Sequence, residues 1–88
     1  MTNVKKAEVA LNELKYPPEL GVLEVTVHNY VDSDNEDALR INVIINDKID
    51  AEKIDGETVV QVRMLIRDRL IEEGFELFPY VSFIKRAS

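Results

Sequence analysis

The chain predicts an α+β protein: a two-layer α-β-β-α-β sandwich, with a three-stranded sheet and both helices on one of its faces. Three observations carry this prediction. Residues 22–30, "VLEVTVHNY", and 38–46, "ALRINVIIN", alternate apolar and polar side chains, the period of half-buried strands. Two other stretches repeat their apolar residues at helical spacing. Prolines and glycines fall between these segments, where the chain must turn.

Residues 3–15 form the first predicted helix. Val4, Ala7, Leu11 and Leu14 make one narrow apolar stripe, and Thr2 or Asn3 can cap the start. "YPPELG", 16–21, stops it. Tyr16 precedes a proline and so avoids helical geometry, and the paired prolines hold an extended turn. In the first strand Leu23, Val25 and Val27 are expected inward, with Glu24, Thr26, His28 and Tyr30 outward. In the second, Leu39, Ile41, Val43 and Ile45 share one face, and Arg40, Asn42, Ile44 and Asn46 the other. The two strands are expected to pair as an antiparallel hairpin.

Residues 47–56 read as a connection with room for one short helical turn. The stretch that follows, "ETVVQVRMLIRDRLIEEG", is the strongest helix signal. Asp55 and Glu57 suit its positive end, and Gly74 suits the position just past its other end, where a positive φ is needed. Glu72 and Glu73 oppose the dipole there, and Arg69 is placed to offset them. Pro79 opens the last strand, "PYVSFIK", with Val81 and Phe83 inward and Tyr80, Ser82 and Ile84 outward.

Three amphipathic strands have one apolar face to hide, and two amphipathic helices can cover it. The second strand is the most apolar and suits the centre. Its connection through the long helix suits a right-handed crossover to a parallel third strand. The order first-second-third is favoured, and second-first-third stays open. This order of elements resembles half of a ferredoxin-like fold. It also resembles the small cytoplasmic domains of cation-diffusion transporters. Those domains use histidines for metal, and this chain has one histidine; no functional residue is carried over.

Composition narrows the function classes. Eighty-eight residues, 45% of them apolar, suit one domain, 1–88, able to bury about 60–65% of its unfolded surface. There is no cysteine, hence no disulfide framework and no thiolate metal site. No segment approaches the ~20 apolar residues of a membrane span. The N-terminal stretch lacks the continuous apolar run of a signal peptide, so a cytoplasmic address is expected. A net charge of −6 repels phosphate backbones, and nucleic acid is not an expected partner.

The acidic stretch "DSDNEDAL", 32–39, invites a calcium reading through Asp32, Asp34 and Glu36. It fails where the geometry is strictest. Asp37 stands where glycine belongs, and Val43 stands where a bidentate glutamate belongs. Turn chemistry accounts for the stretch better, because Asp, Ser and Asn bond their own backbone. The same charges can steer a basic partner. His28 is the sole histidine and has no evident nucleophile or orienting group beside it, so no catalytic residue and no enzyme activity is assigned. No metal and no cofactor is expected, since Gly21, Gly56 and Gly74 are too dispersed for a phosphate loop. Arg63 and Arg67, four residues apart, can grip carboxylate or phosphate, or can answer the acidic loop or Glu73 of their own chain. Tyr30, Tyr80 and Arg40 could stack bases on an open sheet, but the basic-aromatic signature of RNA-binding sheets is missing.

Two surfaces are left without an evident cover. One is the outer sheet face, where Tyr30, Ile44, Tyr80 and Ile84 sit among Arg40, Asn42 and other polar residues. The other is on the long helix, where Val59, Val62, Ile66 and Leu70 make one apolar stripe and Val60, Met64 and Ile71 a second; one must face the sheet, and the other either packs on the first helix or stays free. The expected function is a small, acidic, non-enzymatic protein-interaction module, homodimeric or bound to a larger protein. Its partner-binding residues are Tyr30, Asp32, Asp34, Glu36, Asp37, Arg40, Asn42, Ile44, Arg63, Arg67, Tyr80 and Ile84. A regulatory domain for a small ligand or cation is the alternative.

Overall fold

The computed structural model describes residues 3–86. In chain order the elements are helix α1 (Val4–Asn12), strands β1 (Val22–Val31) and β2 (Asp37–Ile45), helix α2 (Gly56–Glu72) and strand β3 (Phe78–Lys85). Single 3₁₀ turns lie at Pro18–Leu20 and Ala51–Lys53. The predicted α+β class and element order hold. The sheet runs β1-β2-β3, with β1 antiparallel to β2 and β3 parallel to it.

Leu39, Ile41, Val43 and Ile45 of the central β2 are completely buried. They join Val25 and Val27 of β1, Ala7 and Leu11 of α1, and Val62, Ile66 and Leu70 of α2 in one apolar cluster. Each large side chain buried this way contributes about 1.5–3 kcal/mol relative to an exposed one. The stripes read from helical periodicity are therefore the faces turned to the sheet.

Asn3 caps α1, its side chain accepting from the Lys6 amide at 3.1 Å. Thr2, the other candidate cap, lies outside the described residues. α1 ends at Asn12, three residues before the predicted boundary; the Glu13 and Leu14 amides bond only three residues back, to the Ala10 and Leu11 carbonyls, as the last turn tightens. Tyr16 closes the exit from α1 with its hydroxyl, which donates to the Leu11 carbonyl at 2.6 Å. Half-buried beside the core, this hydroxyl has its pKa pushed up by desolvation to about 12.

The strict alternation predicted for β1 breaks at its start. Val22 pairs with Ile45 but Glu24 pairs with Ile44, so Leu23 is an extra residue, a β-bulge. The bulge reverses the side-chain parity. Val22 packs on the core, and Leu23, expected inward, is 45% exposed. Gly21 just before it has φ +55°, and a Cβ there would come within 3.1 Å of the Asn46 Cβ. The position requires glycine on both counts.

Asp55 caps α2 by accepting from the Glu57 amide. At the other end Gly74 has φ +85°. Its amide donates to the Ile71 carbonyl and the Phe75 amide to the Leu70 carbonyl, the paired bonds of a Schellman ending. That ending aims the chain into β3. Arg69 pairs with Glu13 at 3.2 Å and with Glu73 at 3.9 Å, tying the two helices together and offsetting Glu73 at the negative end of α2.

Candidate functional site

The register across the sheet fixes what stands beside what on the outer face. Tyr30, Ala38 and Phe78 form one row; His28, Arg40 and Tyr80 the next; then Thr26, Asn42 and Ser82; then Glu24, Ile44 and Ile84. Among the described residues both helices lie on the opposite face.

The first two rows make an aromatic cluster. Tyr30 and Tyr80 meet edge to face at 5.3 Å between centroids, and Phe78 and Tyr80 at 4.8 Å. The Arg40 guanidinium sits 4.3 Å over the Tyr30 ring. These rings roof Ala38, which is only 2% exposed, yet Phe78 itself is 64% exposed. At the far end Ile44 is half-buried and Ile84 exposed. The face thus has an aromatic-cationic end and an aliphatic end, separated by the small polar residues Thr26, Asn42 and Ser82.

The acidic stretch is a turn. The Asn35 amide donates to the Asp32 carbonyl at 3.0 Å, and Asn35 takes the left-handed conformation at φ 62°. This is the type I turn plus left-handed residue that joins twisted strands. Asn tolerates that conformation better than most residues. The Asp32 carboxylate accepts from the Asp34 amide at 2.9 Å and the Glu36 amide at 3.0 Å. Its other oxygen accepts from the Tyr80 hydroxyl at 3.2 Å. The Glu36 amide above all holds the Asp32 carboxyl below its ordinary pKa; burial opposes it, and the Asp34 amide and the Tyr80 hydroxyl add to the lowering. Tyr80 moves the other way, raised first by desolvation and then by the Asp32 charge. Asp32 therefore works as the brace of the turn and the anchor of one aromatic ring. Asp34, Glu36 and Asp37 are exposed around it. No group of three His, Asp or Glu side chains converges on a metal-sized site among the described residues.

The two edges of the sheet differ. On β1, Val25 and Val27 turn their backbone groups away from β2, and α1 meets them with side chains. The Asn12 amide group donates to the Val25 carbonyl at 2.8 Å, and its oxygen accepts from the Val25 amide at 2.9 Å. Glu8 accepts from the Val27 amide at 3.0 Å. Asn12 thereby reproduces the pair of bonds that a neighbouring strand would make. On β3 the bond from the Arg86 amide to the Ile45 carbonyl shows that even-numbered residues face β2. Val81 and Phe83 then turn their amides outward, with Pro79, which has no amide, in the same register. Among the described residues nothing bonds to that outer edge.

Of the predicted partner-binding residues, the fold brings Tyr30, Arg40, Tyr80 and Asp32 into contact and sets Asn42, Ile44 and Ile84 on the same face. Arg63 and Arg67 lie elsewhere, exposed on α2 at a groove beside β3. They form no ion pair among the described residues; the cation that reaches Glu73 is Arg69. The second stripe of α2 is free of α1: Val60, Met64 and Ile71 are each more than half exposed. Three participants were missed. Phe78 precedes a proline, which forces it extended, and shares the parity of Tyr80; that signal was legible. Glu8 and Asn12 sit four apart on α1, and no sequence pattern marks a polar helix residue that will bond a strand edge.

No family model and no curated protein sequence matches the chain. Among solved structures, it is similar to the crystal structure of the type III secretion system protein EscJ of enteropathogenic E. coli, with a TM-score of 0.52 and 14% identity. The match covers 94% of this chain and 45% of EscJ, so the chain spans less than half the length of that protein. What this likeness establishes is the α+β fold.

Proposed function

We propose that the protein is a non-enzymatic interaction module that binds protein through the outer face of its sheet, in the first instance a second copy of itself. The exposed stripe of α2 and the acidic hairpin loop provide further contact surface, and the cytoplasm is its expected compartment. One observation carries the reading: Tyr30, Arg40, Phe78 and Tyr80 are gathered on a face that no element among the described residues covers. Tyrosine, phenylalanine and arginine are the residues enriched at protein interfaces, and tyrosine and arginine at their energetic centres. The Asp32–Tyr80 bond and the ring-on-ring contacts fix these side chains before any partner arrives, which lowers the entropy cost of binding.

Sedimentation velocity over a concentration series tests the proposal. The wild-type chain is expected to self-associate, and the Phe78→Ser/Tyr80→Ser variant to sediment as a monomer with its fold intact. A wild-type monomer at millimolar concentration, with the Phe78 and Tyr80 rings fully open to a paramagnetic solvent probe, overturns it.

A further inference from the structure

We infer that the open edge of β3, together with the groove between β3 and α2, receives an extended peptide that carries apolar and acidic residues on its groove-facing side, which adds to the sheet as a fourth strand. This surface is separate from the outer face, although Phe78 borders both.

Three features converge on it. The first is the asymmetry of the edges. α1 spends Glu8 and Asn12 on closing β1, while the outward amides of Val81 and Phe83 on β3 meet nothing among the described residues. An unpaired edge offers main-chain hydrogen bonds to an incoming strand. The second is the groove itself, about 750 Å³ in volume, which runs beside that edge. Its apolar lining includes Leu70, Phe75, Leu77 and Val81, so alternate side chains of an added strand have somewhere to go. The third is charge. Arg63 and Arg67 border the groove, both exposed and both without an acidic partner among the described residues. Glu76 is the one acid that lines it, so the balance is cationic on a protein whose net charge is −6.

A carboxylate presented there meets planar guanidinium donors. Only every second side chain of an added strand faces the groove and α2, so that one set must supply both the branched apolar residues for the groove and the carboxylates for Arg63 and Arg67. A second copy fits less well. Pairing two β3 edges about a two-fold axis brings Arg63 and Arg67 of both copies towards one seam, where like charges oppose.

The test uses fluorescein-labelled decapeptides and the full chain. One peptide carries Val, Ile and two Glu at its alternate, groove-facing positions, with Thr or Ser between them; a second replaces Glu by Lys; a third carries N-methyl groups on alternate residues of its pairing edge. The acidic peptide is expected to bind, with its shifts and slowed amide exchange centred on Val81 and Phe83. The lysine and N-methylated peptides are expected to bind at least tenfold more weakly, as is the acidic peptide to Arg63→Glu/Arg67→Glu. Thermal melts check that this variant stays folded, as its exposed side chains predict. The Tyr80→Ser variant should bind normally, which separates this site from the sheet-face interface. Equal binding of all three peptides, or shifts centred on Ser82 and Ile84 instead, overturns the inference. So does protection of the Val81 and Phe83 amides in a self-associated chain without peptide, which makes a second copy the occupant.

Discussion

Replacing Asn12 by alanine tests how much a side chain contributes when it stands in for a strand. The Asn12 amide makes two bonds to Val25, at 2.8 and 2.9 Å, and a third to the Glu8 carbonyl of its own helix. A net intramolecular hydrogen bond contributes about 0.5–1.5 kcal/mol, so the two strand bonds together contribute about 1–3 kcal/mol. Asn12 is exposed, and water can replace it at Val25, which places the loss in the lower half of that range. Alanine is the better helix former by up to about 0.7 kcal/mol, and this offsets part of the rest. The expected net cost is about 1 kcal/mol, a fall in Tm of roughly 4–8 °C for a domain of this size. Circular dichroism melts give the first number, and hydrogen exchange at the Val25 amide gives the mechanism. Asn12→Asp supplies the internal control. It keeps the acceptor for the Val25 amide and loses the donor to the Val25 carbonyl, so protection persists while part of the stability goes. Adding Glu8→Ala to Asn12→Ala frees the Val27 amide too, and that double variant should aggregate on heating where the wild type does not. An Asn12→Ala protein with unchanged Tm and unchanged exchange at Val25 would refute the reading of α1 as the closure of this edge.

Two further outcomes follow from the fold. Tyr16 has a folded-state pKa raised from 10.0 to about 12; its contribution to stability is therefore complete below pH 10, and is lost as pH rises through the interval to about 12. Tyr16→Phe keeps the ring, forgoes the 2.6 Å bond at a cost of about 1 kcal/mol near neutrality, and should flatten the alkaline loss; parallel curves for the two proteins would contradict this. The β1 bulge predicts that Val22→Ser destabilises by about 1–2 kcal/mol while Leu23→Ser stays within about 0.5 kcal/mol, measured by urea unfolding; the reverse ranking is what unbroken alternation demands.

The elements and their inward faces were legible because each rests on a local rule. β2 alternates without interruption, and the stripe Val62, Ile66, Leu70 has helical period, so burial followed pattern. Gly74 was legible as an ending because only a positive φ lets the Ile71 and Leu70 carbonyls find donors there. Leu23 was not, because a bulge is set by the partner strand and by the Gly21–Asn46 approach, which are non-local. The outer face was legible in Tyr30, Arg40 and Tyr80, yet the bond from Tyr80 to Asp32 depends on a turn whose type only the hairpin register fixes. The roles of Glu8 and Asn12 were invisible for a related reason: a polar residue on an amphipathic helix announces solvent, and only the angle at which α1 crosses β1 converts it into a strand's substitute. One reading of Arg63 and Arg67 paired them with acids of their own chain; Arg69, two residues beyond Arg67 and on another side of the helix, is the arginine that reaches Glu13 and Glu73.

The unequal treatment of the two sheet margins has a consequence familiar from polymer chemistry. A unit with two reactive ends propagates a chain, whereas a unit with one can only cap it. With α1 occupying one margin, the described residues have a functionality of one towards a second copy that joins edge to edge. Two copies joined at β3 would each have used the open margin, so growth stops at a pair, and no further end remains among the described residues.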